Sequence, residues 1–200
     1  MNDINMARQK IIVFIGNSSF VRVCIENITA IKDCRTAGII FTDHNNCSTA
    51  WREKIFLLKD IPELTKKKYC FCLAFDQPSE MDIKKRLFFQ IKSLKAELPV
   101  WVSSHAYVSS HAILGEGTII LAGAIVNAGA KIGKNCIVST GALIEHDAVI
   151  GDHSYIGCSS VVNGGVEVKE NCYLGSKNIT RQYIKIAEGT KTDEGFLFKE

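Results

Sequence analysis

Lys131-Ile-Gly-Lys-Asn-Cys-Ile-Val-Ser-Thr-Gly-Ala-Leu-Ile-Glu-His-Asp147 comes back to an aliphatic residue at every sixth place, at Ile132, Val138 and Ile144. The same step reaches back through Val126, Ile120, Leu114 and Val108 to Val102, and forward through Ile150, Ile156, Val162, Val168 and Leu174. Thr180 is the one break before Ile186. Four places after each aliphatic residue stands a smaller one, from Ala106, Ala112 and Thr118 to Ser154 and Ser160, loosening to Val166 and Cys172. A helix of period 3.6 cannot keep such a pattern on one face, and a hairpin array would alternate and break at turns. Period six predicts a parallel β-helix: each hexad is one short strand and one corner, and three hexads close a triangular coil. The aliphatic residue points inward, the small one fills the corner, and Gly115, Gly133, Gly151, Gly157 and Gly175 ease the turns. About five coils fit, which is enough for a continuous apolar column.

Outside the repeat the rhythm changes. Lys10 to Ile15 reads as a buried strand ending at Gly16-Asn17-Ser18-Ser19, followed by a helix with Val23, Ile28 and Ile31 on its buried face. Thr36 to Phe41 is a second strand, closed by Thr42-Asp43-His44-Asn45-Asn46. Asp60 caps a short helix with Pro62 in its first turn, and Tyr69 to Phe75 is a further strand. Ser79 is expected to cap a long helix carrying Ile83, Leu87, Ile91, Leu94 and Leu98, which Pro99 ends. Alternating strands and helices predict a small parallel sheet of Rossmann-like βαβ type. The expected domains are an α/β domain over 1–101, a β-helix over 102–191 and a C-terminal tail over 192–200.

Composition narrows the function. The chain has 200 residues and a formal charge of +3, with no basic run beyond Lys66-Lys67-Lys68, which argues against nucleic acid or an anionic membrane as partner. Met1 to Gln9 is polar and the apolar run from Ile11 to Ile15 is too short for a signal peptide or a span, so a cytoplasmic protein is expected. Of the eight cysteines, Cys136 and Cys172 take the small inward slot, and Cys70 and Cys72 alternate in a strand; this is core usage, and no metal site is expected.

Two sets of residues are candidates for chemistry. In the sheet domain, the turn Gly16 to Ser18 and the acidic end of the second strand, Asp43, stand where a phosphate and a sugar hydroxyl would bind. A plain tight turn and a solvated loop are equally good readings of them. In the repeat, His146 lies between Glu145 and Asp147. A carboxylate on one imidazole nitrogen fixes the tautomer and leaves the other to take a proton near neutral pH. His105, His111 and His153 also occupy corners, where each reads as a solvated turn residue.

The sheet domain, the segment Ser104 to Thr118 and the segment Lys131 to Asp147 together resemble the sialic acid O-acetyltransferase and nucleotide-sugar N-acetyltransferase family of left-handed β-helix proteins, over residues 10 to about 176. The resemblance implies a homotrimer with acetyl-CoA as co-substrate in the groove between neighbouring β-helices, and a nucleotide-linked (UDP or dTDP) 4-amino-dideoxy sugar as acceptor. It puts the general base on His146 with Asp147 and Glu145 beside it, the amide that meets the thioester oxygen on Gly164 next to Gly165, and the nucleotide on Gly16, Asn17, Ser18 and Asp43. Where the family has a Gly-x-Gly-Gly-His loop this chain has Gly16-Asn17-Ser18-Ser19-Phe20. Ser139 replaces a usual Asn, and Tyr155 a usual second histidine. Ser139 can still hydrogen-bond a sugar, and Tyr155 an acyl-CoA amide. The hexads loosen after Leu174, so the coil is expected to end early. Two further readings stand beside this one: an O-acetyltransferase acting on a sialic acid-like sugar, and an inactive β-helix scaffold. A zinc hydratase on the same coil would need three converging imidazoles, which the spacing of His111 and His146 does not offer.

Overall fold

The computed structural model describes residues 9–43 and 51–199; His44 to Asn46 of the loop after the second strand lie outside them. The first half is a four-stranded parallel sheet in the order β3-β2-β1-β4, with β1 Lys10–Ile15, β2 Cys34–Ile40, β3 Ile55–Phe56 and β4 Cys70–Leu73. Helix α1 (Phe20–Thr29) packs on one side, and α2 (Ile61–Lys66) and α3 (Met81–Ser93) on the other. Phe20, Val21, Cys24 and Ile28 form the buried stripe of α1, whereas Val23, expected there, faces out. Helix α3 is shorter than the sequence suggests. Lys95 turns left-handed at φ 57 and the Ala96 amide folds back on the Ile91 carbonyl, so the helix stops well before Pro99. At its start a 3-10 turn at Pro78–Glu80 takes the place of a Ser79 cap.

From Trp101 the chain winds into a β-helix of three parallel ladders, with six, six and five strands. Each residue pairs with those 18 places away: Ile137 stands between Ile119 and Tyr155, and Leu143 between Ile125 and Val161. The sixth-place aliphatics and the small corner residues merge into one buried column running from Ile120 to Phe198.

The coil does not end early. Strands at Lys191–Thr192 and Leu197–Phe198 pair with Tyr173–Leu174 and Ile179–Thr180, so the described residues 191–199 continue the coil and are not a separate tail. The apparent decay is a change from apolar to polar filling. Asn178 takes the small inward slot, fully buried, and its amide nitrogen donates to the carbonyls of Gly175 and Asp193 (2.8 Å each) while its oxygen accepts from Thr192 (2.7 Å). A buried polar group with every bond made costs the fold little.

The three faces of the coil differ on the outside. The docked face (Trp101, Ile119, Ile137, Tyr155) is sealed by Ile12, Phe14 and Cys24 of the sheet domain. On the next, bare face stand Tyr107, Ile125, Leu143, Val161, Ile179 and Leu197, an unbroken apolar row that includes exposed side chains from end to end. On the polar face, Lys131, Glu167 and Lys185 interrupt Ile113 and Val149.

Candidate active site

His146 stands on the corner between the bare and polar faces, just after the strand Leu143–Ile144. Its Nδ1 lies 3.0 Å from Asp147 Oδ2; a carboxylate only accepts, so Nδ1 carries the hydrogen and Nε2 is left with its lone pair. Asp147 holds φ 59, and the corner one rung below is Gly129, where a Cβ would come within 2.3 Å of Asp147 Oδ1. Glu145 does not touch the ring. Its Oε2 accepts from the His146 amide (3.3 Å) and from Asn127 Nδ2 one rung below (3.0 Å), which fixes the backbone that carries the imidazole.

One rung above lies Gly164. A Cβ on it would sit 2.6 Å from His146 Nε2, so glycine is what lets the ring and the next rung coexist, with the Gly164 backbone directly beside the basic nitrogen. The neighbouring amides are committed: Gly165 donates to the His146 carbonyl (3.0 Å) and Asn163 to Thr180 Oγ1 (2.9 Å). The Gly165 amide is thus engaged within the coil, and the backbone beside Nε2 is that of Gly164. A proton acceptor and a backbone donor a few ångströms apart are the parts needed to deprotonate a nucleophile and steady an oxyanion. His146 is 49% exposed in its side chain, so this corner is open to solvent in a single chain.

A second cluster occupies the corner between the docked and bare faces, against the sheet domain. Asn17 binds the two loops together: its oxygen accepts from the amides of Thr42 (2.8 Å) and Asp43 (2.9 Å), and its nitrogen donates to Thr42 Oγ1 and Glu80 Oε1. Gly16 packs on Ala74, whose carbonyl a Cβ would strike. Ser18 Oγ donates to Asp76 Oδ1 (2.9 Å), and Tyr173 donates to the Asp76 carbonyl (3.0 Å). Tyr173 stacks on Tyr155 (centroids 4.7 Å apart), whose hydroxyl points to Ser139 Oγ at 3.5 Å, itself 3.1 Å from Cys158 Sγ. Burial pushes the Tyr155 phenol well above its ordinary pKa, so it stays a neutral donor.

The candidates therefore fall into two groups. Glu145, His146, Asp147, Gly164 and Gly165 meet at one corner; at the other, the loops of Gly16, Asn17, Ser18 and Asp43 are linked to Tyr155 and Ser139 through Asp76 and Tyr173. Within one chain Tyr155 does not approach Gly164. Asn127, Gly129, Asp76, Cys158 and Tyr173 escaped the sequence reading. For Asn127, Gly129 and Tyr173 the signal was available, since each stands 18 residues from Glu145, Asp147 or Tyr155.

His153 corrects an expectation. It is 5% exposed, under α3, with Phe88 and Phe89 against its ring and Nδ1 accepting from Asn135 Nδ2 (2.9 Å). Burial, together with Lys85 and Lys84, lowers its pKa to about 4. Among the described residues there is no group of three metal-ligating side chains, and no helix is long and apolar enough to cross a membrane.

Residues 100–146 match the family model described as bacterial transferase hexapeptide, six repeats. No curated protein matches the chain in sequence. Among solved structures, the acetyltransferase domain of PglB from Neisseria gonorrhoeae is 22% identical with a TM-score of 0.84, covering 95% of this chain and 91% of that one. A mutant of perosamine N-acetyltransferase from Caulobacter crescentus, in complex with CoA and GDP-perosamine, is 23% identical with a TM-score of 0.86, covering 94% and 88%. WeeI from Acinetobacter baumannii is 16% identical with a TM-score of 0.79, covering 96% and 92%. The likeness extends over both halves of the molecule, and it establishes the architecture: an N-terminal α/β domain joined to a left-handed hexapeptide-repeat β-helix.

Proposed function

We propose that the protein is an acetyltransferase that moves an acetyl group from acetyl-CoA to the amine of a nucleotide-linked 4-amino-dideoxy sugar. The observation that carries this reading is the pairing of His146 Nε2 with the Gly164 backbone, with Nδ1 held by Asp147. The sugar amine attacks the thioester carbon while Nε2 takes its proton, and the carbonyl oxygen, now an oxyanion, receives the Gly164 N–H. Collapse of the tetrahedral adduct breaks the carbon–sulfur bond, and the imidazolium returns the proton to the leaving thiolate. The reaction ends with the amide, free CoA and a neutral His146.

The acceptor's nucleotide is assigned to the loops joined by Asn17, with Asp43 toward the sugar or ribose and Ser139 toward the sugar. In this reading Gly16, Asn17 and Ser18 act through backbone placement, since the Asn17 and Ser18 side chains already bridge loops. The solved perosamine enzyme, with its GDP-linked sugar, widens the candidate nucleotides to GDP beside UDP and dTDP.

A homotrimer completes the assignment. The apolar row on the bare face is what a subunit contact would cover, and the two clusters stand on the two edges of that face. Packing around a threefold axis brings the His146 edge of one subunit toward the Ser139 edge of the next, which also shields the open imidazole from water. Leu143→Glu is expected to dissociate the assembly in analytical ultracentrifugation and to abolish turnover. Neither nucleic acid nor a membrane has a part in this function, and a cytoplasmic location suits the donor.

The test is mass spectrometry of UDP-, dTDP- and GDP-linked 4-amino sugars and of free sialic acid, each incubated with acetyl-CoA and the protein. One added acetyl group on an amino sugar supports the proposal. Acetylation of the sialic acid alone would transfer it to a hydroxyl acceptor, and acetyl-CoA binding without any product would leave a scaffold.

A further inference from the structure

Tyr183 is an anomaly at the His146 corner. It stands one rung beyond Gly165, as Gly165 stands one rung beyond Asp147, and all three have left-handed backbone (φ 60, 66 and 59). Elsewhere in the coil the non-glycine residues in this conformation are Asn135, Asp147, His153, Ser159, Asn171 and Lys177, polar side chains that suit a corner facing water or able to bond locally. Tyr183 carries a phenol ring, larger than any of these, and it is 71% exposed.

Its ring does not project away from the coil. A Cβ on Gly165 would fall 2.3 Å from Tyr183 Cδ1 and 2.5 Å from Cε1, so the ring leans back over the preceding rung, as Asp147 leans over Gly129. The Tyr183 amide donates to the Gly164 carbonyl (3.1 Å), which fixes the two rungs in register. Rungs of a parallel ladder are about 4.8 Å apart. The ring thus lies at the level of Gly164 and Gly165, beside the space bounded by the Gly164 amide and His146 Nε2. Gly165 has a reason of its own here: any side chain would displace the ring.

We infer that Tyr183 is a contact of the acyl donor, its exposed ring forming the apolar wall on which the thioester end of acyl-CoA lies. The inference rests on the acetyltransferase reading and deepens it. The stretch of CoA next to the sulfur is a chain of methylenes and amides, which an aromatic face accommodates by dispersion and by amide stacking. The acceptor enters from the other cluster and does not need this ring.

The experiment compares wild type, Tyr183→Phe and Tyr183→Ala by titration calorimetry with acetyl-CoA, by steady-state kinetics on the acceptor that mass spectrometry identifies, and by sedimentation. The expected result is an acetyl-CoA Kd and KM raised about tenfold in Tyr183→Ala, near wild type in Tyr183→Phe, with the acceptor KM and the sedimentation of all three unchanged. An unchanged acetyl-CoA Kd in Tyr183→Ala overturns the inference. Dissociation of that variant also overturns it, because the ring would then be a subunit contact. If the wild type binds acetyl-CoA but acetylates nothing, the proposed function fails while the calorimetry still decides the role of Tyr183.

Discussion

His146 and His153 are seven residues apart on successive corners of one coil, and the molecule treats them in opposite ways. One corner is bare: the ring is half exposed, a carboxylate orients it and a glycine backbone lies against its free nitrogen. The other is covered by α3: the ring is buried, an amide donates to it, and Phe88, Phe89, Lys84 and Lys85 surround it. Lys84, itself buried, donates to the Asn135 carbonyl at 2.6 Å, and burial lowers its pKa to about 8. The chemistry of a histidine in a repeat is set by what lies over its corner. The first imidazole is held by one nitrogen with the other left open beside a glycine backbone, whereas the second is buried, kept neutral and joins the two halves of the molecule.

Substitutions can break this contrast. His146→Ala should lower turnover by about 10²–10⁴-fold with sedimentation unchanged, whereas His153→Gln should leave turnover near wild type. Equal losses in both would erase the distinction. Gly164→Ala should cost about 10²-fold, because its methyl would press on Nε2 and move either the ring or the amide. Asp147→Asn, which removes the carboxylate that fixes the tautomer, is expected to cost about tenfold in kcat, measured with both substrates saturating.

The smaller effects concern stability. His153 has a folded pKa near 4 against an ordinary 6.5, so the fold binds fewer protons than the unfolded chain between those values. Stability is therefore complete above pH 6.5 and falls as the pH drops toward 4, by on the order of 2–3 kcal/mol. The charged and polar groups around the ring are Lys84 and Lys85 on α3 and Lys134, Asn135 and Asp152 on the corners. Urea unfolding at a series of pH values should show that slope in wild type and a flatter one in His153→Gln. A slope that survives the substitution would assign the loss to other groups. Asn127→Ala, which frees one bond to Glu145, should cost only about 1 kcal/mol in the same measurement.

The coil was legible because its requirement is periodic: one inward aliphatic and one small residue per hexad, repeated along a column. Where the filling became polar, at Asn178 and Thr180, the same period persisted in the chain but its meaning was hidden, since only the neighbouring rungs show that those groups are satisfied. The end of α3 was misplaced for a similar reason. The apolar spacing runs on to Leu98, but the left-handed Lys95 ends the helix and Leu98 is buried from a loop. At the site, His146 and Asp147 could be read from adjacency. Asn127, Gly129 and Tyr183 could be found only by looking one rung away, 18 residues off. Nothing in the chain marked His153 as buried, because Phe88 and Phe89 of α3, which cover it, lie 65 and 64 residues earlier in sequence.

The most direct measurement is acetyl transfer followed by mass spectrometry with wild type, His146→Ala and His153→Gln side by side, on the best amino sugar of the panel. The account predicts product at similar rates with wild type and His153→Gln and a rate at least a hundredfold lower with His146→Ala. Product formed at the wild-type rate by His146→Ala, in an assembly that still binds acetyl-CoA, would contradict it.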